Sequence, residues 1–151
     1  MLSLAACKKD DEDTAVSDAP GQMSAKVDNV AWKADQLLLA VIDNQNGDNL
    51  LMIFGKNKTN EEIIIKAKDV IKTGTYTNAT DRDNNHGQYS INLTQNWYSL
   101  FSGNFSITIT KFDQTAKKIS GTFHFEAEAA HDNSVKNITE GTFTDVPFDK
   151  Y

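Results

Sequence analysis

The sequence predicts an all-β domain, either an antiparallel β-sandwich or an up-and-down barrel of roughly eight to ten short strands. From Gln22 onward, apolar and polar residues alternate along much of the chain, and this is the period of a half-buried strand. Clusters of turn-forming residues separate these runs, and no convincing amphipathic helix is visible. Ile, Val, Thr, Phe, Tyr and Trp, which favour strands, total 46 of the 151 residues.

The candidate strands are short and closely spaced along the chain. They cover residues 23–27, 30–32, 37–42, 50–54, 63–67, 71–77, 88–94, 105–112, 118–129 and 138–146. Asp28-Asn29 is predicted to turn the chain between the first two. Trp32, in the second, is expected to belong to the core.

A Gly-X-aromatic pattern recurs in the predicted domain. It begins at Gly74, Gly103, Gly121 and Gly141. Residues i and i+2 of a strand share a face, so each glycine leaves a gap beside its own aromatic side chain. An aromatic residue of a neighbouring strand can cover that gap. The pattern therefore predicts core packing, with a ligand-binding floor as the alternative.

The first seven residues are predicted to be a truncated signal peptide. Leu4-Ala5-Ala6-Cys7 resembles the lipobox of bacterial lipoproteins, in which cleavage occurs before a cysteine that carries lipid. Cys7 is the only cysteine and stands where apolar sequence gives way to charged sequence. Six residues without a basic side chain are too short for a signal peptide, so we expect an earlier translation start.

Residues 8–21 are predicted to form a disordered acidic tether before a single domain at 22–151. This tether carries −3 of the net charge of −6. The run after Cys7 resembles the export signal of Bacteroidetes surface lipoproteins, and it consists of Lys8, Lys9, Asp10, Asp11, Glu12 and Asp13. Asp13-Thr14-Ala15 matches the short O-glycosylation motif of such exported proteins, which makes Thr14 a candidate acceptor.

Several motifs of the domain together resemble an uncharacterised family of Bacteroidetes outer-membrane lipoproteins. They are the segments 25–28, 31–32, 74–76, 107–113, 119–125 and 138–143. The resemblance implies an outer-membrane location facing the cell exterior and a β fold. It carries over no catalytic residue. The domain also resembles calycin-like up-and-down barrels, although Val30 stands where the lipocalin Gly-X-Trp motif has its glycine.

The sequence offers little for catalysis or cofactor binding. It lacks a Gly-X-Ser-X-Gly elbow and a glycine-rich phosphate loop, so we expect no enzyme activity and no cofactor. Asp81, Asp83 and Asn85 form a weak calcium candidate, because oxygen ligands alternate there without the glycine and glutamate spacing of an EF-hand. No other metal site is predicted. His124, Glu126 and Glu128 are expected on a solvated outer face, opposite Phe123 and Phe125. A metal site or an acid–base site on this face is the alternative.

The segment from Asn96 to Phe101 is rich in large apolar residues without clean alternation. If exposed, Trp97, Tyr98 and Phe101 would suit contact with a sugar or a protein partner. Packing of these rings at a corner of the core is the alternative. The acidic composition disfavours nucleic acid as a partner.

The sequence as a whole therefore predicts a lipid-anchored outer-membrane protein with a non-catalytic binding or scaffolding role. A glycan- or small-ligand-binding accessory of nutrient uptake is the alternative, and a hydrolase is less favoured.

Overall fold

The computed structural model describes residues 20–44, 46–79, 81–101 and 103–151, and its fold confirms the all-β prediction. This part of the chain contains no helix that is long and apolar enough to cross a membrane. The described residues form eleven strands: β1 (Gln22–Val27), β2 (Val30–Lys33), β3 (Leu37–Asp43), β4 (Leu50–Lys56), β5 (Glu61–Ala67), β6 (Gly74–Thr77), β7 (His86–Ile91), β8 (Gln95–Tyr98), β9 (Phe105–Asp113), β10 (Lys118–Glu128) and β11 (Val135–Lys150).

All eleven strands belong to one sheet that closes on itself. Their order is β2-β1-β11-β3-β4-β5-β7-β8-β10-β9-β6, and β10 also pairs with β11. This extra pairing closes a ring. The ring runs from β11 through β3, β4, β5, β7 and β8 to β10, and β8 joins β10 through one residue pair only. The ring is not a simple up-and-down barrel, because β11 and β3 are parallel.

The core fills the space between facing strands. Along β10, inward and outward residues alternate from Ile119 to Ala127, as the period of two predicts. Gly55 of β4 and Gly87 of β7 mark where strands approach across the core. A Cβ atom at Gly55 would lie 2.8 Å from the Trp32 ring, and one at Gly87 would meet the ring of Phe125.

Two of the Gly-X-aromatic motifs pack against each other. Gly121 pairs with Phe143 and Phe123 pairs with Gly141 in the β10–β11 ladder. Each phenylalanine covers the gap left by the opposite glycine, since a Cβ atom at either glycine would lie 2.6 Å from that ring. The packing interpretation of these two motifs is confirmed.

β11 departs from the simple alternation that the sequence suggested. Its buried residues are Ile138, Gly141, Phe143, Val146 and Phe148, so the spacing changes between two and three. Glu140 and Asp145 have positive φ of 50° and stand where the spacing widens. These are β-bulges, which bend a strand and increase its twist. The bends accompany a change of partner along β11, from β1 at its start to β3 at its end.

β8 was not among the strands predicted from the sequence. Its four residues contain one buried position, Trp97, so no period of two is visible there. With β8, the described part of the chain has eleven strands where roughly eight to ten were expected.

Candidate ligand-binding site

The candidate site is a pocket of about 250 Å³ beside the β1–β2 turn. We call it the hairpin pocket. Its lining comes from β1, β2, β5, β7 and β11, and consists of Val27, Asp28, Val30, Ala31, Trp32, Glu61, Tyr89, Ile91 and Lys136. A wider groove of about 440 Å³ lies around Pro20 and Gly21, just before β1, but it is more open and less able to enclose a ligand.

The β1–β2 turn holds one ion pair of the pocket in place. Asp28 and Asn29 both have positive φ, 48° and 67°, as a two-residue turn of type I′ requires. The Asp28 carboxylate accepts a hydrogen bond from the Asn137 amide at 2.9 Å and contacts the Lys136 ammonium at 2.8 Å. Burial opposes ionisation of Asp28, but these two contacts outweigh it and lower the pKa of its carboxyl group.

Glu61 begins β5 and supplies the second carboxylate of the pocket. Its Oε1 accepts a hydrogen bond from the Tyr89 hydroxyl at 2.5 Å, and its Oε2 accepts bonds from Asn57 and Thr59. Burial again favours the neutral acid, but the three donors outweigh it and lower the pKa of Glu61. Burial and the neighbouring Glu61 raise the pKa of the Tyr89 phenol, so Tyr89 remains a donor at neutral pH.

Trp32 forms a wall of the pocket and carries a buried polar group without a partner. Its side chain is 4% exposed, as expected for a core residue. The indole Nε1 is buried and has no hydrogen-bond acceptor among the described residues. Such a group costs about 1–3 kcal/mol relative to a bonded one. Trp32 lies on β2, which pairs with β1 alone among the described strands.

The charges of the hairpin pocket do not cancel. Two carboxylates, Asp28 and Glu61, face one ammonium, Lys136, so the lining carries one net negative charge. The carboxylates are held ionised by their partners. The pocket therefore favours neutral or cationic groups over anions.

The structure buries one of the three aromatic residues predicted as a recognition patch, while the rings of Tyr98 and Phe101 contact each other edge to face, with centroids 6.0 Å apart. Trp97 is buried, at 6% exposure, and its Nε1 donates a hydrogen bond to Ser134 at 2.9 Å. Its ring lies 5.6 Å from that of Tyr89. Trp97 is therefore part of the core, in agreement with the packing alternative and not with surface recognition. Tyr98 is half-buried, and only Phe101, at 51%, is well exposed.

The side chains of the calcium candidate have local partners. Asp81 accepts hydrogen bonds from the amide and side chain of Asn84. Asn85 is buried, where it accepts from the Lys68 amide and donates to the Thr77 carbonyl. Asp83 is exposed. These bonds shape the loop itself. Within the described ranges, no group of three His, Cys, Asp or Glu side chains is arranged to hold a metal ion.

Other candidates lie on the outer face or outside the described residues. His124 and Glu126 are exposed, while Phe123 and Phe125 are buried, so the alternation predicted for β10 is confirmed. The lipobox with Cys7, the charged run at 8–13 and Thr14 fall outside the part of the chain that the structure describes.

Sequence reasoning did not find Glu61, Tyr89 or Lys136. The segment before β5 carried a signal for local structure only, because residues 56–62 are an unbroken polar run before an apolar one. Asn57 accepts hydrogen bonds from the amides of Thr59 and Glu61, which fixes the start of the strand. The meeting of Glu61 with Lys136 depends on the fold, and no local pattern predicts it.

The domain is thus an all-β ring with a small, partly charged pocket at one end. A family model described as a domain of unknown function (DUF6252) matches residues 20–147. The chain belongs to this family. No curated protein and no solved structure matches it.

Proposed function

We propose that this protein is a lipid-anchored, surface-exposed outer-membrane protein of Bacteroidetes type that binds a small ligand in the hairpin pocket without catalysis. The pocket is the observation that carries the proposal. It combines apolar walls with a few fixed polar groups, which is the usual composition of small-molecule sites. Its volume is below the range of drug-sized sites, so it suits a small molecule or one unit of a larger one.

The position of the pocket supports a role away from the membrane. The tether reaches the domain at Pro20, just before β1 begins at Gln22. The pocket lies beyond the other end of β1, at Asp28. Six strand residues separate these points by about 20 Å. If Cys7 carries lipid, the pocket opens at the end of β1 remote from the anchor.

The chemistry of the pocket supports binding over hydrolysis. A hydrolase of the two-carboxylate type needs one protonated acid and one ionised base, so their environments must push the two pKa values apart. Here the pKa values of Asp28 and Glu61 are both lowered. Both groups are ionised at neutral pH, which leaves no carboxylic acid to protonate a leaving group.

The anchor is tested with the full-length precursor in its native host. We expect radioactive palmitate to label the protein, and Cys7→Ser to abolish labelling. Replacing Lys9, Asp10 and Asp11 by Ala should preserve labelling but hide the protein from external protease. Labelling of Cys7→Ser at the normal level would contradict the anchor, and unchanged protease access of the triple variant would contradict the export signal.

The binding site is tested on the full chain carrying Cys7→Ser, which cannot be lipidated through that residue. A metabolite library is screened by thermal shift against this protein and its Glu61→Gln derivative. Ligands of the pocket should stabilise the first and lose most of the effect with the second. Glu62→Gln is the matched control, since Glu62 is the adjacent carboxylate and does not line the pocket. A ligand that stabilises all three proteins equally binds elsewhere.

A further inference from the structure

We infer that the outer face of β3, β4 and β5 is the surface on which a second copy of this chain docks, so that the protein forms a symmetric dimer. The inference goes beyond the proposed function and does not depend on the hairpin pocket. We call this surface the outer patch. It consists of six apolar side chains, which are Leu39, Val41, Leu50, Met52, Phe54 and Ile64.

The side chains of the outer patch point away from the core. In β4, Leu51 and Ile53 are fully buried, whereas the three patch residues that alternate with them remain partly exposed. The same alternation holds for the patch residues of β3 and β5. Within the described ranges, none of the six belongs to the core cluster or packs against it. They form one continuous surface, because Leu39 pairs with Phe54 and Phe54 pairs with Ile64 across the ladders.

Outward positions on the opposite side of the ring are polar instead. On β9 and β10 they include Ser106, Thr108, Thr110, Thr122, His124 and Glu126. An antiparallel sheet with one solvated face alternates apolar and polar residues, whereas a strand that is covered on both faces is a continuous apolar run. The runs at 37–42 and 50–54 are of the second kind. An exposed apolar surface that spans several strands therefore marks an interaction site on this side of the ring.

The charges at the border of the outer patch favour a second copy of the chain as the occupant. The outward residues of β5 are Glu62, Ile64 and Lys66, so an apolar centre lies between opposite charges. The neighbouring strands carry the reverse order, with Lys56 beside Glu62 and Asp43 at the other end. Two positive and two negative charges give no preference for an anionic membrane or a strongly charged partner. They suit a surface that carries the same charges in the opposite order.

A two-fold axis perpendicular to the strands produces that order. When two outer patches stack face to face around an axis that passes Ile64, each strand lies over the same strand of the partner with its direction reversed. Glu62 of one protomer then faces Lys66 of its partner, and symmetry forms the same pair a second time. The two Ile64 side chains meet at the centre. Packing of two sheets face to face, about 10 Å apart, is a common way to bury such surfaces.

The test measures the mass of the full chain carrying Cys7→Ser by sedimentation equilibrium over a range of concentrations. We expect a reversible equilibrium between monomer and dimer. Ile64→Lys brings two like charges together at the centre and should weaken the dimer about tenfold or more. Thr122→Lys is the matched control, since Thr122 is an exposed residue of β10 outside the patch, and it should leave the dimer unchanged. Circular dichroism verifies that both variants fold.

Charge exchange tests the arrangement without placing a charge at the apolar centre. Glu62→Lys and Lys66→Glu should each weaken the dimer about tenfold, because each brings like charges together at two symmetric places. An equal mixture of the two single variants should form a mixed dimer with the affinity of the parent, since both contacts between these positions then join opposite charges. The double variant should recover in the same way.

Three outcomes overturn the inference. A parent chain that stays monomeric at the highest concentrations excludes a second copy as the occupant of the patch. Dimers that Ile64→Lys and Thr122→Lys weaken equally, or not at all, form through another surface. If neither the mixture nor the double variant recovers the affinity that the single variants lose, the two-fold arrangement is wrong. Should Ile64→Lys fail to fold, the charge-exchange variants decide the question alone.

Discussion

The regions around Trp32 and Trp97 each contain a buried indole group, and they differ in the hydrogen bonding of its N–H. Their exposures are nearly equal, 4% and 6%. Trp97 donates to Ser134, whereas Trp32 has no acceptor among the described residues. The comparison teaches that two indole groups can be equally buried and yet differ in whether their N–H is bonded, so burial alone does not measure how well a polar side chain is accommodated.

The largest effect is expected at Trp97. Trp97→Ala removes a buried aromatic ring and its hydrogen bond, so unfolding should become easier by about 3–5 kcal/mol. Phe101→Ala, on an exposed ring of the same segment, should cost less than about 0.5 kcal/mol. Chemical denaturation measures both. A Trp97→Ala protein as stable as the parent would mean that this ring is outside the core.

A smaller difference in stability is expected between two substitutions that each remove one indole N–H. Trp97→Phe leaves the Ser134 hydroxyl without its donor, whereas Trp32→Phe removes a donor that has no partner. The first substitution should therefore destabilise the protein more, by about 1–3 kcal/mol. Urea unfolding of the two single variants provides the comparison. Equal losses would show that the Trp32 N–H has a partner, such as a buried water molecule.

Tyr89 lies between the two regions, with its ring near Trp97 and its hydroxyl on Glu61. Tyr89→Phe should cost about 1–2 kcal/mol at neutral pH, because a bond to a charged acceptor is lost. The pKa of Glu61 is below its ordinary value of 4.5 in the folded protein. The stabilisation from its ionised form is therefore present above about pH 4.5 and disappears as the pH falls through the lowered pKa.

The difference in stability between the parent and Tyr89→Phe should accordingly narrow on acidification from pH 7 to pH 3. The free energy of unfolding of both proteins, measured across this pH range, tests whether the difference narrows. Tyr98→Phe, on the half-buried neighbouring tyrosine, is the control and should give a pH-independent difference. A gap that widens at low pH would contradict the bond between Tyr89 and ionised Glu61.

The smallest effect concerns solvent access. Trp32→Phe and Trp97→Phe each leave one fluorescent indole, and both should be weakly quenched by acrylamide, since both side chains are buried. Strong quenching of Trp97 would restore it as a surface recognition residue and remove the contrast with Trp32.

Much of the fold could be predicted because strands leave a local signature. In β10, buried residues recur at every second position from Ile119 to Ala127, so both the strand and its faces were evident from the sequence. In β11, bulges at Glu140 and Asp145 change the spacing, and the sequence located the strand without its true limits. In β8, Trp97 is the single buried residue, and four residues are too few to reveal a period.

The site could not be predicted to the same extent. Asp28 and Trp32 were noticed, one as a turn residue and the other as a core residue, yet neither assignment shows that they border a pocket. Glu61 and Lys136 come from strands that are far apart in the chain. Their meeting depends on long-range strand pairing, which local patterns of hydrophobicity do not encode.

The pairing of β1 with β11 also determines how this chain folds in time. Lys26 and Glu140, joined across these strands, are 114 residues apart, and Tyr151 is hydrogen-bonded to Ile42 and Asn44. By contrast, β10 and β11 are neighbours in the chain and interlock through the Gly121–Phe143 and Phe123–Gly141 pairs. Local contacts close with less loss of chain entropy than distant ones. We therefore expect hairpins between neighbouring strands, such as β10–β11, to form before β1 pairs with β11, and the hairpin pocket to be assembled late, at that pairing.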